Sequence, residues 1–508
     1  MLRYPCITLS VALAFPTLAI GSTVSFSSHT AACSSGLCAQ TSIQHADLNG
    51  DGLEDLIALD HPNYGGFSVT FNQGNGAFSA PVVYTVPAIS SGNPDSVDAV
   101  VFGDFSHHGG IDLAAFGADS DNLYVYTNNG RGAFTLTKTI PFTTGNIGFL
   151  SAVSADFNHD NNPDLAFTTD TQLHIFLGDG KGGFTPGLSQ SVQGNTLQTG
   201  DFDGDGKADL LVTGDLAALN HAYAYYGDGT GHFPQWVTLA MSSGTYDQVA
   251  FSVGDVNSDG RSDVMVSDPS LYKSSVYVFY GNAANRNFPN RTTISISGCI
   301  SYEAPTVADV DGNGYNDLIV TAYPCSNTSG SVPNLEVRTR NADSSYNAVQ
   351  TIYSIPNSTA DDNQIQQVLV LNGDHNTKPD LLFQQCLGQY YGSCSNGAST
   401  ITLLNSTAGA FPTCNAPAAA EGISVCSPST TAPGSPVTFN LGAAMATPAR
   451  DMNVWVDGKK VAEQVDGFSN YTYLTKSLSL SPGTHQIGIY AAGWDQSTIH
   501  KSFTLTVQ

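Results

Sequence analysis

The stretch Asp201-Phe202-Asp203-Gly204-Asp205-Gly206-Lys207-Ala208-Asp209-Leu210 sets carboxylates at positions one, three, five and nine of a tight, glycine-broken loop. Six further copies begin at Asp47, Asp104, Asp156, Asp255, Asp309 and Asn372, and each ends eight residues on with an aspartate. The starts lie 45 to 63 residues apart, and recurrence at a period of this size marks a propeller or a solenoid. Roughly 40 to 50 residues make one four-stranded propeller blade, whereas helical repeats need apolar residues three and four apart, a spacing not found here.

Strand signals flank every loop. A short apolar stretch such as Ser252-Val253-Gly254 precedes it, and a β-branched, apolar one such as Leu210-Leu211-Val212 or Leu318-Ile319-Val320 follows. A second turn recurs downstream, from Asn72 to Phe78, Asn128 to Phe134, Gly178 to Phe184 and Gly227 to Phe233, with glycines for positive φ and a phenylalanine to anchor it. Two hairpins per unit give four strands, so the expected fold is all-β: a seven-bladed β-propeller, closed so that few edges are exposed.

The loop spacing suits calcium. A hard ion wanting six to eight oxygens is met when Asp or Asn at alternate positions turn their side chains toward one point, with the backbone carbonyl of position seven added. The expected side-chain ligands are Asp47, Asn49, Asp51 and Asp55 in the first loop and Asp156, Asn158, Asp160 and Asp164 in the third. They are Asp201, Asp203, Asp205 and Asp209 in the fourth, and Asp255, Asn257, Asp259 and Asp263 in the fifth. The sixth offers Asp309, Asp311, Asn313 and Asp317, and the seventh Asn372, Asp374, Asn376 and Asp380. The second loop is degenerate, with Asp104, Ser106, His108 and Asp112, and is expected to bind weakly or not at all. About six structural calcium ions are therefore expected. An EF-hand shares the opening of the motif but needs a bidentate Glu at position twelve, where this chain has Ala58, Val212 or Val266.

Charge agrees with a bound cation. Formal net charge is −26, and twenty of the 43 acidic residues are aspartates at ligand positions. The same acidity, without a Lys/Arg cluster, excludes a nucleic-acid binder.

Met1-Leu2-Arg3 followed by an apolar stretch from Ile7 to Ile20 reads as a secretion signal over 1–21, too short and Pro-interrupted to span a membrane, and the protein is expected to be secreted or at the cell surface. Setting Cys6 aside leaves eight cysteines in an oxidising compartment. Local spacing suggests pairing Cys33 with Cys38, Cys386 with Cys394 and Cys414 with Cys426, while Cys299 and Cys325 lie symmetrically about the sixth loop. The propeller is assigned to 22–411, a Pro/Ala-rich linker to 412–422, and a sandwich of immunoglobulin-like pattern to 423–508, with turns at Asp457-Gly458 and Pro482-Gly483 and Trp455 as the expected core aromatic.

The seven D-x-[DN]-x-[DN]-G-x-x-D loops with their Gly-x-Gly-x-Phe turns resemble FG-GAP (VCBS-type) repeats, the family of the integrin α-subunit propeller and several secreted lectins. The resemblance covers roughly residues 40–411, and the tail is similar to the Ig-like modules of bacterial secreted proteins. It implies calcium at the matching loop positions and adhesion or recognition of an extracellular glycan or protein. A carbohydrate-active enzyme built on a propeller and a purely structural surface protein are the alternatives. There is no Gly-x-Ser-x-Gly elbow and no His-Glu-x-x-His, and the close carboxylate pairs are accounted for as ligands. Tyr390 and Tyr391, between Cys386 and Cys394, are the candidate ligand-contacting aromatics, set against packing on a neighbouring blade.

Overall fold

The computed structural model describes residues 23–507 except 33–42, 61–64, 75, 90–93, 118, 143–149, 170–171, 215–220, 241–248, 268–274, 283–285, 290, 297, 301–302, 324–332, 356–363, 375–377, 387–388, 391–392, 395–397, 408–420, 429–430, 433–436, 446–448, 465–470, 479 and 494–496. Among the described residues no helix is long and apolar enough to cross a membrane, and every regular element is a strand. The expected signal, most of the expected linker, Cys33, Cys38, Cys325, Cys414, Asn376 and Tyr391 lie outside the described residues.

Seven antiparallel sheets follow one another along the chain. Blade 1 is typical, with strands Ile43–Ala46, Asp55–Asp60, Gly66–Thr70 and Val82–Thr85, and blades 2 to 5 repeat the order; in blade 6 the first strand is split into Cys299–Ile300 and Thr306–Ala308, both paired with Asp317–Tyr323. Each acidic loop is the turn between the first and second strands of its blade. In all seven the residue before position one pairs with the position-nine aspartate: Ala46 with Asp55, Gly103 with Asp112, Ala155 with Asp164, Gly200 with Asp209, Gly254 with Asp263, Ala308 with Asp317 and Leu371 with Asp380. The loops therefore share one register and one end of their blades.

The seventh blade departs from strict sequence order. Its inner strands Gln364–Leu371, Asp380–Cys386 and Ala398–Asn405 are completed by Phe26–Ala32, which pairs with Ala398–Asn405 from Phe26 opposite Asn405 to Ala32 opposite Ser399. A strand from before the first blade thus becomes the outer strand of the last, covering the edge of Ala398–Asn405 and tying the two ends of the ring together.

The apolar cores lie between blades. Phe67 and Val69 of blade 1 meet Leu113, Tyr124 and Tyr126 of blade 2, and Leu210 and Tyr225 of blade 4 meet Phe157 and Ile175 of blade 3. The seam between blades 7 and 1 has a smaller core of Ile43, Leu56, Ala58, Leu371 and Leu382. The phenylalanines of the second turn anchor on the preceding blade rather than on their own. Phe184, Phe233 and Phe288 stand edge-on to Phe105, Phe157 and Phe202, which hold position two of the loops before them, with centroids 5.2, 5.8 and 5.6 Å apart.

The C-terminal unit is a two-sheet β-sandwich. Gly422–Ser427, Val437–Ala444 and Tyr471–Leu478 face a sheet of Thr431–Ala432, Thr498–Val507, Gly483–Gly493, Ala449–Val456 and Lys459–Gln464. Asp457 and Gly458 turn the hairpin of Ala449–Val456 and Lys459–Gln464 with φ of 51° and 80°. The core holds Phe439, Leu441, Met452, Val454, Val456, Ile487, Ile489 and Leu505. Trp455 is not the core aromatic expected of it: strand alternation sends Val454 and Val456 inward and Trp455 outward, where it meets the exposed Tyr490 edge-on at 6.0 Å. Phe439 fills the core instead.

Candidate metal-binding loops

Backbone conformation explains the glycines. Positions four and six take left-handed φ, at Gly204 and Gly206 with 73° and 82° and at Gly50 and Gly52 with 75° and 85°. His107, His159 and Ser258 hold position four at φ of 51°, 61° and 59°, a conformation that costs a side chain roughly 1–2 kcal/mol. His159→Gly should therefore raise stability by about 1 kcal/mol, read as a shifted urea midpoint.

Two left-handed residues curl the loop so that its N–H groups point at its own side chains. In the fourth loop Asp201 Oδ1 accepts from the amides of Gly204 and Asp205 at 2.7 and 3.1 Å, and Oδ2 from Gly206 at 2.9 Å. Asp203 accepts from the Asp205 amide at 3.1 Å and Asp205 from that of Lys207 at 3.0 Å. The relay recurs through Asn49 and Asp51, Asn158 and Asp160, Asn257 and Asp259, and Asp311 and Asn313, at 2.8 to 3.1 Å.

These bonds turn the oxygens inward. Oxygens of Asp201, Asp203 and Asp209 lie within 4.8 Å of one another, as do those of Asp309, Asp311 and Asp317. Oxygens bound to one calcium at its usual bond length stand no more than about 5 Å apart, so both sets fit a single divalent ion. In the first, third and fifth loops an asparagine stands at position three, where its amide oxygen replaces one carboxylate. In the seventh, the buried Asn372 Oδ1 has no hydrogen-bond partner, an acceptor that a cation would satisfy. The second loop closes on itself: the Ser106 hydroxyl donates to Asp112 at 2.6 Å, and Asp104 accepts the amides of His108 and Gly109.

Position nine does more than ligate. Asp209 accepts the Phe202 amide on Oδ2 at 2.9 Å and the Gly227 amide on Oδ1 at 2.7 Å, tying the loop to the end of the third strand. Asp55, Asp164, Asp263, Asp317 and Asp380 make the same two bonds, and Asp112 accepts the Asn128 amide on Oδ1 and, in place of the position-two amide, that of Ser106 at position three on Oδ2. All seven are buried. Its retention in the degenerate second loop is the signal, visible in the sequence, that this aspartate serves the fold as well as an ion.

The loops also link around the ring. Ser262 at position eight donates its amide to the Asp201 carbonyl at 2.8 Å, the Asn316 side chain donates to the Asp255 carbonyl at 2.6 Å, and the Glu54 amide donates to the Asn372 carbonyl at 3.2 Å across the seam. Arg286 of blade 5 reaches loop four, with Nε 2.7 Å from Asp203 and Nη2 3.1 Å from Asp205.

Burial pushes the position-nine carboxyls up, to about 8 for Asp55 and Asp209 and about 9 for Asp317; neighbouring carboxylates add to this, and the amide bonds oppose it. A raised folded pKa means stability that is full below the unfolded value of about 4 and lost as pH rises through 7 to 9. Metal-free protein should therefore melt higher at pH 5 than at pH 8 in a chelator-buffered thermal scan.

Of the other expected site residues, Cys299, Cys386 and Cys426 are each disulfide-bonded. Tyr390 lies in the two-residue strand Gln389–Tyr390 opposite Ser393–Cys394.

A sequence profile described as the FG-GAP-like repeat matches residues 47–115, 104–167, 156–212, 201–266 and 255–320, together more than half of the chain. Integrin alpha-PS5 of Drosophila melanogaster is 27% identical over 168 residues, 30% of this chain and 16% of that one. Integrin alpha-8 of Mus musculus is 24% identical over 234 residues, 41% of this chain and 20% of that one. The chain thus matches a fifth or less of the length of these integrins. A solved lectin from Agrocybe aegerita, specific for non-reducing terminal N-acetylglucosamine, superposes with a TM-score of 0.45 at 19% identity, covering 62% of this chain and 80% of that one. Seven in-register acidic loops, each closing the first hairpin of its blade, with six of them inside the span that the repeat profile matches, make this chain a member of the FG-GAP repeat family, an integrin α-like β-propeller.

Proposed function

We propose that the chain is a secreted, calcium-braced propeller that recognises a protein or glycan ligand outside the cell, as an adhesion or recognition module. The observation that carries the reading is the convergence of Asp201, Asp203 and Asp209 oxygens within 4.8 Å in a loop repeated at every blade. Calcium, when bound, supplies the positive charge that buried carboxylates need. The chain's own residues do the rest: the left-handed positions aim the oxygens, position nine pins the loop to its blade, and position eight, as at Ser262, Asn316 and Glu54, links it to the loop before. Braced at one end, the ring holds the connections at its opposite end in fixed relation, the preorganisation that recognition requires. Similarity to integrin α chains supports an extracellular protein partner, and a glycan is the other ligand class that suits such loops. The proposed disulfides Cys33–Cys38, Cys299–Cys325, Cys386–Cys394 and Cys414–Cys426 belong to the same oxidising setting.

The test is binding of the purified full chain to arrays of glycans and matrix proteins, in calcium and in chelator. Retention of a ligand that chelation abolishes is the expected result. Binding to neither array would overturn the recognition reading.

A further inference from the structure

The sandwich lies against the acidic-loop end of blades 4 and 5. Lys476, on the strand Tyr471–Leu478, places Nζ 3.3 Å from Oδ2 of Asp255, the position-one residue of loop five, and its side chain is only 9% exposed. The neighbouring strand Lys459–Gln464 meets the same two loops. A Cβ added at Gly260 would stand 3.8 Å from Cα of Ala462 and from the Val461 carbonyl oxygen, and one added at Gly206 would stand 3.8 Å from Lys460 Nζ. Loop five thus receives a buried ammonium from another domain on the carboxylate that opens its ligand set. Its Asp259 is also paired, with Arg261 of the same loop.

An ammonium and a divalent cation sharing one carboxylate repel each other inside a Debye length of about 10 Å, in an interface too dry to screen them. Each therefore weakens the other's hold, and thermodynamic linkage makes the effect reciprocal. We propose that Lys476 is the resident cation of loop five, which a divalent ion must displace, so that filling this one loop loosens the sandwich from the ring. The inference rests on the calcium reading above and adds to it that the loop-five site is weakened by the docked sandwich and coupled to that docking.

Site-resolved calcium calorimetry on the full chain tests this, comparing wild type with Lys476→Met, which keeps the stem and removes the charge, and Lys476→Arg, which keeps the charge. Lys476→Met should tighten one site, that of loop five, by roughly 5- to 150-fold relative to wild type, the range of typical coupling energies, and Lys476→Arg should leave it as in wild type. Small-angle scattering of wild type should show a larger radius of gyration once that site fills. Calcium bound with affinities that Lys476→Met leaves within about twofold, or a radius unchanged at saturation, would overturn the inference and leave the calcium reading standing. Absence of calcium binding in wild type would overturn both.

Discussion

Transfer from millimolar calcium into excess chelator should lower the melting temperature by roughly 10 °C or more. At free calcium tenfold above a site's dissociation constant, each site contributes about 1.4 kcal/mol, so six give roughly 8 kcal/mol. That is comparable with the entire stability of an ordinary domain, about 5–15 kcal/mol. Without the ion, carboxylates such as those of Asp201, Asp203 and Asp209, with oxygens within 4.8 Å of one another, repel by about 3 kcal/mol per ionised pair at an effective dielectric near 20. The loops sit at the blade seams, where Ser262 holds Asp201 and Glu54 holds Asn372, so loosening them loosens contacts between blades as well as within them. Calorimetric scans of the same sample before and after chelation give the result directly, and a shift under about 2 °C would contradict it.

Asp209→Ala should destabilise by about 2–6 kcal/mol even in chelator, because it leaves the buried amides of Phe202 and Gly227 without an acceptor, each costing roughly 1–3 kcal/mol. Asp205→Ala removes a side chain that is exposed and accepts only from its own loop and from Lys207 and Arg286. In chelator its cost should stay under about 1 kcal/mol, since surface ion pairs contribute little, with a further loss of about 1.4 kcal/mol in calcium if its site empties. Urea unfolding of both variants with and without calcium separates fold from ligation. Equal losses for the two in chelator would show that position nine acts only through the ion.

The repeat itself was legible because each loop carries local constraints of several kinds: oxygens at alternate positions, glycines where φ must be positive, and β-branched residues after position nine. The second role of position nine was less so, since an aspartate reads alike whether it ligates an ion or accepts two amides. Only its persistence beside Ser106 and His108, where the other ligand types fail, separates the two. Ring closure by Phe26–Ala32 was not legible. That strand pairs with Ala398–Asn405, far away in sequence, and its mixed Ser, His, Thr and Ala content gives no period that names a partner. Trp455 is the opposite case: the alternation of Met452, Val454 and Val456 already places it on the outer face. Lys476 meets Asp255 across two domains, a contact that no local pattern encodes.

Counting calcium ions per chain is the most direct test, by native mass spectrometry of the full chain desalted in calcium and repeated on the double variant Asp201→Ala, Asp203→Ala, which removes both side-chain ligands. About six ions in wild type and one fewer in the variant are the predicted result. A chain that carries none, or a variant that carries as many as wild type, would contradict the assignment of these loops as the ring's calcium sites.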